Sequence, residues 1–299
     1  MNRRELLTGG LTVAAALGLP GSAAAGSGML TRKIPSSGAE LPVIGLGTSG
    51  PFEVGTSPAQ RAPLAAVLEG FFAGGGRLID TSPMYSSAEQ VLGELLSEEQ
   101  RGRALLATKV WTRGARSGIE QMTHSLARLG RARLDLIQVH NLLDLDAQLR
   151  TLRAWRDEGR VRYIGVTHYT VSSHAELARV IERERLDFVQ FNYSPVTRAA
   201  EQRLLPLAAE RGVAVLVNRP FEDGALLAAV RRKPLPPWAA DFDAGSWGQL
   251  ALKFIVSHAA VTCVIPATGD IAHLRDNLGG GRGRLPEAGQ RELIARAFS

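Results

Sequence analysis

Continuous apolar runs alternate with segments of helical periodicity along most of the chain. The run Leu134–His140, LDLIQVH, is one example, and it is typical of a strand that is buried on both faces. The segment behind it places Leu145, Leu149, Leu152 and Trp155 at helical spacing. Apolar runs begin at about residues 77, 104, 134, 161, 186 and 213, so each strand–helix unit takes roughly 25 to 30 residues.

This repetition of one strand and one helix predicts the class of fold. Strict alternation indicates a parallel sheet, and eight units in this length favour a closed α/β (β/α)8 TIM barrel over a doubly wound sheet. We expect the barrel to span residues 30–299. Gly38 divides residues 31–42 into the arms of a short N-terminal hairpin. Prolines mark a long loop over residues 219–245, after strand seven, with one helical turn near residues 225–230.

Three Ser-x-x-Glu patterns precede periodic apolar segments, and each predicts a helix start closed by a capping box. In a capping box the serine hydroxyl accepts a backbone N–H, while the glutamate accepts the N–H of the serine. The three pairs are Ser86 with Glu89, Ser117 with Glu120, and Ser173 with Glu176.

Residues 1–25 are organised differently from the rest of the chain. Arg3 and Arg4 precede an apolar stretch over residues 11–19, and a small-residue A-x-A pattern ends at Ala25. This order predicts a secretory signal peptide, and the paired arginines resemble a twin-arginine signal. We therefore expect export to the periplasm or another extracytoplasmic space, with the twin-arginine export machinery as a partner. The alternative is a cytosolic tail that happens to be apolar.

Composition narrows the possible classes of protein. Hydrophobic residues make up 45% of the 299 residues, which is enough for a large core. The net charge of +6 comes from arginines interspersed with acids, which indicates a solvated surface rather than a nucleic-acid site. Cys263 is the only cysteine, so no intramolecular disulfide can form, and its apolar neighbours predict a buried side chain.

The sequence GLGTSG over residues 45–50 matches the G-x-G-x-x-G dinucleotide fingerprint. That fingerprint requires a helix to open within the motif, because the helix N-terminus binds the pyrophosphate. Here Pro51 and Pro58 delay the helix, and the next acid at a strand end, Asp80, follows after about 30 residues rather than about 20. We therefore favour glycines that let the first barrel strand turn under a ligand over a Rossmann fold.

Four polar residues stand at or just after the ends of neighbouring predicted strands, where the catalytic residues of barrels lie. Asp80 ends strand two, Tyr85 follows in the next loop, Lys109 ends strand three and His140 ends strand four. A lysine at the end of an apolar strand needs a partner, and Asp80 is the natural one. The pair would hold a positive charge beside Tyr85 and lower its phenol pKa from about 10. With His140 placed to donate to a carbonyl oxygen, the set predicts carbonyl reduction.

Each of these residues also has a purely structural interpretation. Asp80 and Lys109 can form an ordinary buried ion pair, and His140 can be a core histidine with satisfied hydrogen bonds. A metal site at Asp80 and His140 is disfavoured because no second histidine or glutamate lies at ligand spacing. The absence of clustered metal ligands in the sequence also argues against an unrelated barrel hydrolase. The joint occurrence of four such residues at adjacent strand ends favours the catalytic interpretation.

After residue 30 the chain resembles the aldo-keto reductase superfamily. The resemblance rests on the order of these four residues and on the segments RLIDTSPMY, ATKVW, LDLIQVHN, YIGVTHY, FVQFNYS and IPATGDIAHLRDN. It implies that Tyr85 is the general acid-base and that Lys109, paired with Asp80, tunes it. It also implies that His140 orients the substrate carbonyl, and that the hydride comes from reduced NADP or NAD.

The resemblance further implies where cofactor and substrate bind. The residues expected at the nicotinamide cofactor are Thr48, Thr167, His168, Gln190, Arg219, Thr268, His273 and Asn277. Those expected in the substrate pocket are Phe52, Met84, Trp111 and Asn141. The substrate is then a modestly hydrophobic aldehyde or ketone, and a monomer is the default state of the family.

Three positions depart from the pattern of the family. His168 stands where asparagine is frequent, Arg219 where an aromatic ring often stacks on the nicotinamide, and Asp270 where NADPH-dependent members carry basic residues. A guanidinium can still stack on a flat ring, but Asp270 would repel the extra phosphate of NADPH, which leaves NADH or dual use open. The competing function is a non-catalytic barrel that binds the cofactor as a sensor or accessory subunit and does not need Tyr85.

Overall fold

A computed structural model describes residues 28–299 of the chain. The predicted signal peptide, residues 1–25, lies outside the described residues. From residue 28 onwards, no helix is both long and apolar enough to cross a membrane.

A two-stranded hairpin closes the amino-terminal end of the barrel. Its strands β1 (Thr31–Lys33) and β2 (Glu40–Pro42) pair antiparallel, as predicted. Leu41 is buried among side chains that lie inside the barrel. Tyr163, also inside the barrel, donates a hydrogen bond from its hydroxyl to Ser37 Oγ at 2.8 Å. The hairpin is thus fixed by both apolar burial and a polar contact.

Eight parallel strands form a nearly closed barrel, which confirms the predicted fold class. In chain order they are β3 (Leu46–Gly47), β4 (Leu78–Asp80), β5 (Leu105–Val110), β6 (Leu134–His140), β7 (Val161–Thr167), β8 (Phe188–Asn192), β9 (Ala214–Asn218) and β10 (Val261–Val264). Every strand pairs in parallel with the next one in the chain. Bridges from Ile44 to Val264 and from Gly47 to Ala267 join the first strand to the last.

Helices alternate with these strands. In chain order they are α1 (Pro58–Ala73), α2 (Ala88–Leu95), α3 (Glu98–Arg103), α4 (Ala115–Arg128), α5 (Leu145–Asp157), α6 (His174–Arg183), α7 (Leu204–Glu210), α8 (Ala225–Val230), α9 (Trp247–Val256), α10 (Ile271–Gly279) and α11 (Ala288–Phe298). The helical turn predicted in the long loop after strand seven is α8. The short helix α3 has no counterpart in the predicted pattern.

Two apolar layers hold the barrel together, because successive side chains of a strand point to opposite faces. In β6, Leu136 faces the barrel interior, while Ile137 and Val139 face the surrounding helices. Cys263 lies in the interior layer with no exposed surface, and burial raises the pKa of its thiol. Its predicted position in the core is confirmed.

The three predicted capping boxes are wrong. Ser86 lies before α2 with a left-handed backbone (φ 44°), and Glu89 turns inward to accept a hydrogen bond from a hydroxyl on β5 at 2.7 Å. Ser117 lies inside α4, which starts two residues earlier. Ser173 precedes α6, but its hydroxyl lies 3.0 Å from Nε2 of His168 and caps no N–H. Tertiary partners and an earlier helix start override the local pattern.

Helix α2 approaches the end of α4 closely at Gly93. A Cβ added there would lie 1.7 Å from the carbonyl oxygen of Arg128. We expect Gly93→Ala to lower the free energy of unfolding by more than about 2 kcal/mol, because the two helices must move apart. Chemical denaturation measures this change.

Gly102 of α3 is the control for that substitution. Apart from its chain neighbours and its own helix backbone, no described atom lies within 4 Å of its Cβ position, so Gly102→Ala should raise the free energy of unfolding by about 0.5–1 kcal/mol. Equal stability of the two variants would contradict the close approach at Gly93.

Candidate active site

The carboxyl ends of the barrel strands surround a cavity of about 870 Å³. Cavities that bind small molecules and cofactors measure roughly 300–1,000 Å³. Asp80, Tyr85 and His140 line the cavity from β4, the loop behind it and β6. Thr268 and Asn277 line it from the loop after β10 and from α10. The strand ends identified from the sequence therefore meet at one place.

A buried ion pair joins β4 to β5. Lys109 Nζ donates to Asp80 Oδ2 at 2.6 Å and to the carbonyl oxygen of Thr81 at 2.7 Å, so the predicted pairing is confirmed. Burial by itself lowers the pKa of Lys109, but the charges and hydrogen bonds of Asp80 and Tyr85 together outweigh burial, so the pKa is raised and the ammonium stays charged. Asp80 Oδ1 accepts hydrogen bonds from the amides of Gln138 and Gln190, each at 3.0 Å.

Tyr85 lies next to this ion pair, with its ring centroid 4.7 Å from Lys109 Nζ. Its loop is tight, because the N–H of Tyr85 donates to the carbonyl oxygen of Ser82 at 3.0 Å. The expected fall of its pKa is wrong. Burial raises the pKa of the phenol more than the charge of Lys109 lowers it, and the charge of Asp80 raises it further. Tyr85 is therefore a neutral phenol that can donate a proton.

His140 is neutral, and the hydroxyl of Ser82 contacts one of its two ring nitrogens. Burial, aided by the charge of Lys109, lowers its pKa to about 3. Its Nδ1 lies 3.3 Å from Oγ of the fully buried Ser82, and the same Oγ accepts the N–H of Met84 at 3.1 Å. Within residues 28–299, the Ser82 hydroxyl has no acceptor other than Nδ1, so we expect it to donate to an unprotonated Nδ1 and Nε2 to carry the hydrogen. The rings of His140 and Tyr85 stand edge to face with centroids 6.2 Å apart.

The cavity wall beside His140 is largely apolar. Trp111 lies 6.5 Å from the His140 ring, and Met84 and Asn141 also line the cavity. Phe52 is different. Its ring is fully buried in the layer between strands and helices, where its apolar surface is removed from water, and it does not line the cavity. Phe52 is therefore a core residue rather than a pocket residue.

A chain of side-chain hydrogen bonds runs from Asp80 across the strand ends. Gln190 Oε1 accepts from Thr167 Oγ1 at 3.1 Å and from Asn218 Nδ2 at 3.2 Å, and its Nε2 donates to Asp80 and to Gln138. All four hydrogen-bonding positions of the Gln190 amide are therefore used inside the protein.

Asn218 has an unused acceptor at the end of this chain. Its Oδ1 is buried, and no atom of residues 28–299 pairs with it. An unpaired buried acceptor is costly unless a ligand N–H meets it. The amide group of a nicotinamide carries such an N–H, and the cavity has the volume for a dinucleotide. The residues present thus fit the cofactor that the resemblance implies.

The other predicted cofactor residues divide into two groups. Thr48, Thr268, His273 and Asn277 line the cavity. His168 does not. Its Nδ1 accepts the backbone N–H of Tyr169 at 3.0 Å, and its Nε2 bonds to the Ser173 hydroxyl, so its ring stabilises the loop after β7. His168, which was expected at the cofactor, therefore does not reach the cavity, because its ring bonds to the backbone and a hydroxyl of its own loop.

Two charged residues in the loops after β9 and β10 form hydrogen bonds with other groups of the protein. Arg219 lines the cavity, but its Nε and Nη2 bond to the two carboxylate oxygens of Asp223 at 3.1 and 2.5 Å. Asp270 caps α10, where its Oδ1 accepts the N–H groups of Ala272 and His273 at 2.7 and 3.0 Å. A carboxylate thus holds the helix N-terminus, a position that would otherwise attract an anion.

Three residues of the site carry no prediction from the sequence: Ser82, Gln138 and Asn218. Asn218 ends β9, so the strand-end pattern that identified Asp80 also contains it. Ser82 in a loop and Gln138 within a strand have no comparable signal, since their roles depend on neighbours in space.

The chain is similar to known proteins along most of its length. The protein-family model described as "Aldo/keto reductase family" matches residues 43–289 of this chain. The NADH-specific methylglyoxal reductase of Escherichia coli (strain K12) is 27% identical over 241 residues, which cover 69% of this chain and 72% of that protein. The pyridoxal 4-dehydrogenase of Microbacterium luteolum is 26% identical over 251 residues, which cover 66% and 72% respectively.

Solved structures agree in fold. An aldo/keto reductase from Klebsiella pneumoniae in complex with NADP and acetate superposes with a TM-score of 0.74 at 25% identity, covering 87% of this chain and 93% of that chain. An aldo-keto reductase from Klebsiella pneumoniae in complex with NADPH gives a TM-score of 0.72 at 26% identity, covering 90% and 96%.

The tautomer of His140 is open to direct measurement. We expect nitrogen NMR of the wild type to show hydrogen on Nε2 alone, and Ser82→Ala to show both neutral tautomers, because Nδ1 loses its donor. Ser87→Ala is the matched control, since the Ser87 hydroxyl bonds to the carbonyl oxygen of Val54 at 2.7 Å. Hydrogen on Nδ1 of the wild type would contradict the assignment.

Proposed function

The chain belongs to the aldo/keto reductase family, so it is an NAD(P)H-dependent oxidoreductase that reduces carbonyl compounds, and we propose that Tyr85 donates the proton in this reaction. The observation that carries the proposal is the buried ammonium of Lys109, next to both the carboxylate of Asp80 and the ring of Tyr85. Its charge stabilises the phenolate that remains after Tyr85 has given up its proton, and Asp80 keeps that charge in place.

His140 acts on the oxygen of the substrate carbonyl. Its Nε2–H donates a hydrogen bond to that oxygen, and Ser82 maintains this tautomer from the other side of the ring. As the carbonyl carbon gains a hydride, negative charge develops on the oxygen. The Tyr85 proton passes to that oxygen, which completes the alcohol.

The residues that would hold the nicotinamide cofactor occupy the rest of the cavity. Asn218 and Thr167 would bind its carboxamide, and Thr268 and Asn277 the remainder of the dinucleotide, since all four line the cavity. When bound in its reduced form, the cofactor supplies the hydride, one hydrogen nucleus with two electrons. The protein holds the substrate carbonyl in line for that transfer and keeps water away from it.

Both NADH and NADPH enter the proposal. The Klebsiella pneumoniae structures hold NADP or NADPH, whereas the Escherichia coli relative is NADH-specific. The carboxylate of Asp270 lies at the start of α10 and would repel the additional phosphate that NADPH carries. This repulsion favours NADH. The names of the relatives also indicate test substrates, since one reduces methylglyoxal and another acts on pyridoxal.

Replacing the proton donor tests the proposal. We expect Tyr85→Phe to lower kcat for carbonyl reduction by at least about 100-fold while cofactor binding persists, because only the phenol hydroxyl is lost. Absorbance of NADH or NADPH measures turnover, and calorimetry measures binding. Tyr163→Phe is the control and should keep full activity, because the Tyr163 hydroxyl bonds to Ser37 in the hairpin. A wild type as inactive as Tyr85→Phe would instead indicate a non-catalytic cofactor-binding barrel.

We also propose that the protein is exported through the twin-arginine pathway. Arg3 and Arg4, the apolar residues 11–19 and the A-x-A pattern ending at Ala25 support this proposal. The twin-arginine route moves folded proteins, so the barrel can cross with its cofactor bound. Tight retention would then supply a cofactor that is scarce outside the cytoplasm.

Fractionation of cells tests export. We expect the wild type in the periplasm with a bound nicotinamide, and the double variant Arg3→Lys/Arg4→Lys in the cytoplasm, because the export machinery reads the arginine pair. Equal distribution of wild type and variant would refute this route. A periplasmic protein that purifies without any nicotinamide would refute the retention of the cofactor.

A further inference from the structure

The loop after β5, residues 111–114, is bonded to helix α4 through the side chain of Gln121. The Oε1 of Gln121 accepts the backbone N–H of Trp111 at 2.6 Å, and its Nε2 donates to the carbonyl oxygen of Trp111 at 3.3 Å. Surface loops are usually the mobile parts of a domain. One amide that bonds both backbone groups of a loop residue opposes such motion.

The same loop is bonded to the start of α5 by two further side chains. Gln148 donates from Nε2 to the carbonyl oxygens of Thr112 at 3.0 Å and Gly114 at 3.2 Å. Asp144 Oδ2 accepts the backbone N–H of Gly114 at 2.6 Å. The loop is therefore fixed from α4 and α5 together.

Holding the loop in this way costs stability at Gln148. Its Oε1 is buried and has no partner among residues 28–299, and an unpaired buried acceptor is destabilising. Helix α4 also carries Gly118 where this side chain passes, because a Cβ there would lie 2.2 Å from Gln148 Oε1. Glycine weakens a helix interior relative to alanine.

A second cost lies at Asp144, the residue before α5. Aspartate at this position normally caps the helix by accepting a backbone N–H. Asp144 makes no such cap and has a left-handed φ of 50°, while its carboxylate bonds to the loop. Violations of local preference are expected where a function requires them. The position of the loop therefore needs a functional reason.

The loop carries Trp111, which lines the cavity. Two aromatic rings lie beside the ring of His140: Tyr85 with its centroid at 6.2 Å and Trp111 at 6.5 Å. Tyr85 is the proposed proton donor, so the indole of Trp111 is left as the aromatic wall. Because 37% of Trp111 is exposed, core packing does not enclose it. The direction of its ring then depends on its backbone conformation.

We propose that Gln121 is a positioning residue for substrate selection, although it does not itself line the cavity. By holding the backbone of Trp111, it keeps the indole in one place on the cavity wall. A wall that is fixed before binding does not lose conformational freedom when the substrate arrives. A substrate large enough to reach the indole therefore gains affinity from Gln121, and a smaller one does not. The inference rests on the proposed carbonyl reduction.

Three variants of the full-length protein test this role. Gln121→Leu removes both hydrogen bonds to Trp111. Gln121→Glu keeps an acceptor for the N–H of Trp111 but loses the donor to its carbonyl oxygen, and it carries the comparison if Gln121→Leu does not fold. Gln90→Leu is the matched control, because Gln90 also lies on a helix but bonds to Glu94 of that helix at 2.8 Å.

Fluorine NMR of protein labelled with 5-fluorotryptophan reports the indole directly. The chain has four tryptophans, and the signal that disappears in Trp111→Phe identifies Trp111. We expect one sharp Trp111 signal in the wild type and in Gln90→Leu, and a broadened or split one in Gln121→Leu. The other three signals should not change, which excludes a general loss of structure.

Kinetics with propanal and 3-phenylpropanal report selection, since the two aldehydes differ only in the phenyl group. We expect Gln121→Leu to raise KM for 3-phenylpropanal about fivefold, the effect of ordering one side chain on binding. KM for propanal and kcat for both should stay within about twofold, because only ground-state contacts are lost. Gln121→Glu should lie between the wild type and Gln121→Leu.

If either the Trp111 signal or the ratio of the two KM values is unchanged in Gln121→Leu, the inference is overturned and the proposed function stays intact. An equal rise in KM for both aldehydes, or a fall in kcat, would also overturn it, because Gln121 would then act on the whole site. A wild type that reduces neither aldehyde, nor methylglyoxal, would remove the proposed function together with the inference.

Discussion

The buried charge of Lys109 is the interaction on which the rest of the site depends. An ammonium without a partner at the end of a buried strand would be strongly destabilising, and Asp80 removes that cost with a contact of 2.6 Å. The other oxygen of Asp80 then needs donors, which Gln138 and Gln190 supply from β6 and β8. Gln190 in turn takes hydrogen bonds from Thr167 and from β9. One buried charge therefore accounts for polar residues on five other strands of the barrel.

The same charge influences the protonation states around the cavity. It adds to burial in keeping His140 neutral, and it opposes burial at Tyr85 without overcoming it. Both groups therefore face the cavity as donors, which suits the reduction of a carbonyl rather than the removal of a proton. The attraction between Lys109 and Tyr85 strengthens as the phenol loses its proton. In the proposed reaction, the ion pair thus stabilises the transition state more than the resting state.

Residues whose roles follow from position along a strand could be predicted from the sequence. Asp80, Lys109 and His140 each close an apolar run, and in a barrel all such ends meet at the same mouth. Residues whose roles depend on the direction of the side chain could not. His168 stands one residue past a strand end, yet its ring bonds to the backbone of its own loop. Phe52 lies close in sequence to the cavity wall, yet its ring packs into the core.

The sequence by itself determined the barrel, its hairpin, its family resemblance and the set of residues at the strand ends. These features depend on periodicity and on local order, which can be read along the chain. Only the tertiary structure decided that the pKa of Tyr85 rises and that Ser82 contacts Nδ1 of His140. Desolvation and hydrogen-bond partners are contributed by groups far apart in sequence. Ser82 meets His140 across 58 positions, and Gln190 meets Asp80 across 110.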